Sequence, residues 1–419
     1  MAEQVQPGGT GPLDQAAPAS AAQPTGRTAH PEPARADRWS TVPVRRRVLG
    51  VVRTLTALDR LHDVFAVLAD DFRIELRFTV AAGSEFAQDL DGHLGAAGMR
   101  AVPWQEATAE HFDLAVSPSS NGPLHELDVP VVTLPHGAGY HKLRPTPDGL
   151  AGEISGLSPT QFVHDGQIVP AVLGLSHQNQ LELLAESCPA AADRAAVIGD
   201  PCYARLRASL PMREQYRAAL GLGDRRAVLV SSTWGERSLF ARAPELAARL
   251  TAELPDSQVI LVLHPNIWTR HSTFQIAHWT RRARRNGLLV LPPDRGWRAA
   301  LVAGDVVIAD HGSLALYGAA LGKPLLLGAF GAAEVAPGTP IAELGTRARR
   351  LRPHDLASQV DGAEPVPGHE DLTAQAFPPP AEAARSLRTL LYTHLDLPEP
   401  TYPAIPEPVD PHTPTTWLD

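Results

Sequence analysis

Residues 305–324 read Asp305-Val306-Val307-Ile308-Ala309-Asp310-His311-Gly312-Ser313-Leu314-Ala315-Leu316-Tyr317-Gly318-Ala319-Ala320-Leu321-Gly322-Lys323-Pro324. Val306 to Ala309 is a short apolar run, the length of a strand buried on both faces. Asp310 to Ser313 breaks it with residues that favour turns and helix starts. Leu314, Tyr317 and Leu321 then keep helical spacing. Gly322 closes the helix, Pro324 stops its continuation, and Leu325 to Leu327 begins another buried strand. The unit is strand, tight loop, helix, strand. Its loop sets backbone N–H groups at a helix N-terminus, where a phosphate can sit; equally, it is an ordinary crossover with a serviceable cap.

The same pattern recurs on both sides. Strand-like runs at 48–52, 74–80, 112–116, 131–134, 171–175 and 195–198 alternate with helical spacing, and the alternation restarts after about residue 210 with runs at 227–230, 259–263 and 288–291. This predicts an α/β protein with parallel sheets covered on both faces. At 419 residues the chain suits two domains, and 44% hydrophobic residues support large cores. The expected organisation is a disordered tail at 1–43, rich in Ala, Pro and Gln, and a Rossmann-like domain at 44–200. A second such domain follows at 201–345, then a Pro-rich tail at 346–419 carrying one helix at about 381–395.

Net charge is −9, which argues against a nucleic-acid partner. Lys142 and Lys323 are the only lysines, and both fall in or beside loops of interest. Cys188 and Cys202 are too few for a disulfide framework or a cysteine-ligated metal site. The start lacks a basic segment followed by an apolar core, so no signal peptide is expected. No run of about 18 apolar residues exists, so no membrane span is expected either. A cytoplasmic location follows, with peripheral contact at the inner face of a membrane open to it. Arg45-Arg46-Arg47 is either a solvated strand entrance or a contact for acidic lipid or phosphate. There is no Gly-x-Gly-x-x-Gly after the first strand, no P-loop and no Gly-x-Ser-x-Gly elbow. A dinucleotide redox enzyme, a P-loop NTPase and an esterase are therefore disfavoured.

In open parallel sheets ligands bind outside the carboxyl ends of the strands. The residues standing there are His136-Gly137, Ser176-His177, Gly199-Asp200-Pro201, Ser231-Ser232-Thr233, His264-Pro265 and Asp310-His311-Gly312-Ser313. A neutral His136 in a glycine-rich loop can take a proton from a hydroxyl. Lys142 is either a phosphate contact or a solvated lysine. Ser232 and Thr233 offer phosphate donors or simple helix caps. His264 either meets a phosphate or caps the core. Ser313 and the Gly312 N–H are the best phosphate candidates by local physics, and Asp310 competes with an anion for the same donors.

The ordered set resembles a known family. Asp305 to Ser313 with Lys323-Pro324 is similar to the D-x-x-I-x-D-Y-S-S … K-P signature of CDP-glycerol glycerophosphotransferases, the teichoic-acid polymerases. His136-Gly137 with Lys142 resembles that family's H-G-x-x-x-K loop, and Gly199-Asp200-Pro201 with Leu206 its G-x-P-R-x-D-x-L turn. Ser232-Thr233-Trp234 resembles P-T-W-R, and His264-Pro265 the H-P element. The resemblance implies a GT-B fold, two Rossmann-like domains facing an interdomain cleft, with the nucleotide on the C-terminal domain. It implies transfer of glycerol phosphate from CDP-glycerol to a hydroxyl acceptor, lipid-linked acceptors included, without metal or other cofactor. By it His136 is the base, while Lys142, Ser232, Thr233, His264, Asp310, Gly312 and Ser313 hold phosphate or nucleotide. The sequence departs from the family where His311-Gly312 replaces Tyr-Ser, Gly235 replaces an Arg, and Cys202 and Ala204 replace the Arg and Asp of the turn. These departures keep two alternatives open: a nucleotide-sugar glycosyltransferase of GT-B fold, and a catalytically inactive GT-B binding module.

Overall fold

Buried strands with apolar side chains on both faces can hydrogen-bond only to one another, and they pair here into two separate parallel sheets. The computed structural model describes residues 41–85, 87, 89–146 and 149–411. Nearly all of the expected N-terminal tail at 1–43 lies outside these, as do the last eight residues of the chain. From Val44 onward the chain forms one compact unit.

The first half runs β1 (Arg46–Val52), α1 (Leu55–Phe65), β2 (Ile74–Val80), α2 (Leu90–Ala96), α3 (Trp104–Ala107), β3 (Leu114–Ser117) and β4 (Val131–Thr133). An excursion follows, made of β5 (Leu143–Thr146), β6 (Gly149–Ile154), α4 (Pro159–Phe162), β7 (Val163–His164) and β8 (Gln167–Ile168). The chain then returns through β9 (Val172–Leu175), α5 (Asn179–Ser187) and β10 (Ala195–Val197). The sheet order is β10-β9-β4-β3-β1-β2, parallel throughout. Helix α6 (Pro201–Ser209) begins on Asp200, whose carboxylate accepts from the Tyr203 N–H at 2.8 Å.

The second half runs α7 (Arg213–Ala219), β11 (Arg226–Ser232), α8 (Leu239–Arg242), α9 (Leu246–Glu253), β12 (Ser257–Leu263), α10 (Pro265–Arg285) and β13 (Leu289–Val290). It continues with α11 (Trp297–Ala303), β14 (Val306–Ala309), α12 (Ser313–Ala320), β15 (Leu325–Leu327), α13 (Pro340–Arg347) and β16 (Arg349–Arg350). The order β13-β12-β11-β14-β15-β16 reverses direction between β11 and β14, which opens a crevice at their carboxyl ends. Both strands ending there are apolar and buried along nearly their whole length.

The expected Pro-rich tail is more structured than its sequence suggests. After β16 come α14 (Leu356–Asp361), α15 (His369–Ala376) and α16 (Pro380–His394). Helix α16 returns to the first half, where it packs on α6 and places Leu387, Leu391, Tyr392 and Leu395 in the core beside Val48, Leu114 and Val132. The segment that follows has no regular structure but is tied down at both halves. The Tyr402 hydroxyl donates to the Ala69 carbonyl at 3.0 Å, and the Val409 carbonyl accepts from the Tyr216 hydroxyl at 2.7 Å.

Candidate active-site cleft

The loop after β4 crosses from one half to the other. The Ala138 N–H donates to Ser313 Oγ at 3.0 Å, and the approach is so close that a Cβ on Gly137 would lie 2.4 Å from that oxygen. Further on, the Ala336 N–H donates to the His141 carbonyl at 2.8 Å and Lys142 bridges to Val335. His136, Lys142 and the start of α12 thus meet in one cleft between the two sheets.

His136 is open to the cleft. Its Nδ1 lies 3.2 Å from the Pro118 carbonyl. A carbonyl only accepts, so Nδ1 carries the proton and Nε2 is left with a free lone pair. Crowding by protein lowers the imidazole pKa; the Pro118 carbonyl opposes this, and the charges of Arg60 and Lys142 reinforce it. The ring is therefore a neutral base at neutral pH. His264 has the opposite tautomer. It caps α10 with Nδ1, which accepts from the Asn266 N–H at 3.1 Å, so its Nε2 carries a proton to donate. Its pKa is held well below the usual value, first by burial and then by Lys142 and His136.

Lys142 Nζ donates to Thr233 Oγ1 at 3.2 Å and stands 5.4 Å from the centre of the Trp234 ring. Among the described residues no carboxylate lies within ion-pair distance of it. Burial lowers its pKa, while Glu334 and Asp310 act at longer range to raise it. The cleft holds an ammonium whose direct neighbours are a hydroxyl and an aromatic face.

Asp310 spans the crevice between β14 and β11. Oδ2 accepts from the Thr233 N–H at 2.9 Å, the Leu239 N–H at 2.8 Å and the Ser232 hydroxyl at 3.3 Å; Oδ1 accepts from the Gly312 N–H at 3.0 Å. Of the expected phosphate contacts, Ser232 and the Gly312 N–H donate to the Asp310 carboxylate, the competitor for these donors that the sequence named. The Ser232 Oγ also accepts from the Phe240 N–H at 2.8 Å. Among the described residues, what remains open on α12 is the Ser313 hydroxyl proton and the N–H groups of Ser313 and Leu314, which have no intrahelical acceptor.

Other polar groups line the same cleft. His311 is buried; its Nδ1 accepts from the Gly331 N–H at 3.1 Å, so Nε2–H donates to Glu334 at 2.9 Å. Glu334 is also paired with Arg237 at 3.2 Å. His141 is buried with Nδ1 unpartnered, and burial followed by the nearby Lys142, His311 and His136 pushes its pKa down to about 3. Arg60, from α1, donates to Asp200 at 2.9 Å, to the Gly137 carbonyl at 2.7 Å and to the Tyr317 hydroxyl at 2.9 Å. The strand-end pattern pointed to His311 and Asp200 by position, and the His and Gly spacing of 136–142 to the loop; Glu334 and Arg60 stand far away along the chain. Among the described residues no group of three or more His, Cys, Asp or Glu is placed to hold a metal ion.

No family model matches the chain, and no curated protein does. Solved structures do. A histidine-to-asparagine variant of the wall teichoic acid polymerase TagF aligns with a TM-score of 0.56 at 13% identity, over 84% of this chain and 89% of that one. The same kind of variant soaked with CDPG gives 0.55 at 12% over the same shares. UDP-GlcNAc 2-epimerase from Methanocaldococcus jannaschii, in complex with UDP-GlcNAc and UDP, gives 0.51 at 12%, over 83% of this chain and 99% of that one. These are GT-B proteins, and the chain has the GT-B fold.

Proposed function

We propose that the chain is a GT-B transferase that takes a phosphate-containing group from a nucleotide-linked donor to a hydroxyl acceptor, with His136 as the base. One observation carries this reading: an ammonium without a carboxylate partner, Lys142, and an imidazole with a free basic nitrogen, His136, converge on the same cleft. The ammonium suits a diphosphate. In the reaction the acceptor hydroxyl gives its proton to His136 Nε2 and its oxygen forms a bond to the donor's distal phosphorus. The bond from that phosphorus to the bridging oxygen breaks, and a nucleoside monophosphate leaves. Lys142, the His264 Nε2–H and the first N–H groups of α12 neutralise the growing charge. Such chemistry asks the protein for positioning and charge stabilisation rather than covalent work. The solved TagF variant carries CDPG in its name, which favours a CDP-linked donor here.

A second reading has its own support. The epimerase of similar fold is solved with UDP-GlcNAc and UDP, so a UDP-sugar is the competing donor class. Thermal melting with CMP, CDP-glycerol, UDP and UDP-GlcNAc separates the two, followed by identification of the released nucleotide. CMP release supports glycerophosphotransfer, UDP release supports glycosyl transfer, and no stabilisation by any nucleotide removes both. His136→Ala is expected to keep nucleotide binding within about twofold and to lower turnover by about 10²–10⁴-fold. Lys142→Met is expected to lose binding itself.

A further inference from the structure

The loop that follows β3 serves two places. Near its start, the Pro118 carbonyl holds His136 Nδ1. Further on, residues 120–125 form one wall of a separate cavity of about 160 Å³ in the first half. Helix α4, strand β7 and the approach to β9 form the other wall. The loop is braced from within: the Ser117 hydroxyl donates to the Ser119 carbonyl at 2.7 Å, and the Asn121 N–H donates to Ser119 Oγ at 3.1 Å. Gly122 then turns the chain at a φ of 106°, a conformation that other residues rarely adopt. Gln161 ties the two walls together. Its Nε2 donates to Asn121 Oδ1 at 2.8 Å, and its Oε1 accepts from the Gly156 N–H at 2.7 Å. The His125 and His164 rings, one from each wall, stack with their centres 3.5 Å apart.

The lining has a definite chemistry. It holds hydroxyl, carboxamide and imidazole groups beside the apolar Leu124, Phe162 and Val169, with no Asp, Glu, Lys or Arg among its residues. Two of the polar groups lack partners. Ser120 is 4% exposed, and its hydroxyl makes no hydrogen bond. Among the described residues nothing accepts from the Asn121 side-chain NH2 group either. A buried hydroxyl left unpaired costs free energy, and native structures rarely leave one without a ligand or an ordered water. A serine hydroxyl turns about one bond to meet such a partner. Hydroxyls and carboxamides both donate and accept, which suits a ligand whose own groups do the same. A phosphate or a carboxylate would enter without a counter-ion. A wholly apolar ligand would strand the amide and the hydroxyl.

We propose that this cavity binds a small neutral molecule rich in hydroxyls, one sugar or polyol unit. Several hydroxyls on a short carbon frame pair with Ser120, Asn121 and the imidazole nitrogens, while the frame meets the apolar part of the lining. The volume suits one such unit and not a chain of them. The cavity is distinct from the groups ascribed to the nucleotide. Thr233, His264 and Ser313 all stand in the second half, and the cavity is built entirely from the first. It is nevertheless tied to the cleft, because Pro118 and Ser120 are two residues apart on one loop, at most about 7 Å of chain. Two sources fit the same chemistry: the neutral end of the hydroxyl acceptor, or a separate small molecule that bears on His136 through Pro118. The binding itself does not rest on the transfer reaction.

Saturation-transfer NMR on the full chain tests it, with glycerol and glucitol as probes. Both are expected to receive saturation from the parent protein, and a titration gives the dissociation constant. Ser120→Ala removes one hydrogen-bonding group and is expected to raise that constant about 2- to 10-fold. Its melting temperature should not fall, because the hydroxyl has no partner inside the protein. Asn121→Leu puts an apolar side chain in the amide's place and should raise the constant about tenfold or more. Asn121 is exposed, so the melting temperature of this variant should match the parent. Steady-state turnover then separates the two sources. An acceptor KM that rises in Asn121→Leu at an unchanged donor KM marks the acceptor's own end. A rate that shifts with added glucitol at saturating acceptor, and no longer shifts in Asn121→Leu, marks a separate ligand. Either result supports the site. No saturation of either probe by the parent overturns the proposal, as does a dissociation constant unchanged in both variants. Failure of every nucleotide to stabilise the chain would remove the transferase reading alone, and the probe titrations would still decide this one.

Discussion

His141 shows how far a single residue in the cleft is controlled by its surroundings. It sits between His136 and Lys142, buried, with a ring nitrogen that has no hydrogen-bond partner. Charging it would bury a cation beside another cation, so the fold holds its pKa down at about 3, below the ordinary imidazole value of 6.5. The unfolded chain has no such constraint and takes up a proton as the pH falls below about 6.5. Between those values the unfolded state binds more protons, so stability is complete above pH 6.5 and is lost as the pH falls towards 3. The expected slope from this one residue is about 1.4 kcal/mol per pH unit within the window. Urea unfolding at pH 7 and pH 5 measures it, and His141→Asn should flatten the difference by about that slope; an unchanged slope would remove His141 as its source. The rule that polar residues follow strand ends made positions such as His136, His264 and Asp310 legible in the sequence. The sequence left their roles as alternatives. Whether Asp310 shares the Gly312 N–H with a ligand or holds it alone depends on where Thr233 and Leu239 bring their own N–H groups. Those contacts span more than seventy residues of chain and leave no local pattern.

At the scale of elements, the alternation of strand and helix was readable because buried parallel strands need continuous runs of Val, Ile and Leu. Strands β11, β12 and β14 are such runs. The region after residue 346 was not readable for the opposite reason. Helices α14 and α15 have six and eight residues and bury only three and two of them, too few to display a helical period. Helix α16 does display one, but nothing local says that its stripe belongs to the first half. The structure puts Leu387, Leu391, Tyr392 and Leu395 at 1% exposure or less. At about 2 kcal/mol for each large side chain, their burial is of the order of the net stability of a whole domain. Helix α16 is thus a structural member of the first half. Leu391→Ala is expected to cost about 3 kcal/mol, and exposed Thr393 two residues on should tolerate Ala within about 0.5 kcal/mol. Chemical denaturation compares them; equal and small effects would return α16 to the status of a tail.

For the molecule as a whole, the question is what joins two sheets that share no strand. The joint is polar and buried. Arg60 from the first half, Asp200 at the crossing point and Tyr317 on α12 of the second half form a closed set. Arg60 donates to both oxygens of Asp200 and to Tyr317, and the Tyr317 hydroxyl donates to Asp200 at 2.9 Å. Beside it, Arg298 of α11 pairs with Asp59 and Asp63 of α1, and Asp63 is also held by Arg205 at 3.0 Å. The Arg60 guanidinium reaches the Gly137 carbonyl as well, so the same group that joins the halves fixes the loop bearing His136. Ion pairs taken out of water gain little net stability, yet breaking one leaves a bare charge behind. Arg60 and Asp200 are 3% and 1% exposed, which places them in that regime. Arg60→Met is therefore expected to cost about 3–5 kcal/mol, mostly because the Asp200 carboxylate is stranded. Asp200→Asn in the same chain removes the stranded charge but keeps an oxygen to cap the Tyr203 N–H, so the double variant should recover a substantial part of that loss. A thermodynamic cycle of the two single variants and the double, followed by urea unfolding, measures the recovery as a coupling energy. A double variant as unstable as the sum of the singles would show that Arg60 acts through its bonds to Gly137 and Tyr317 instead. Turnover would then fall in both Arg60 variants in step with the loosening of the His136 loop.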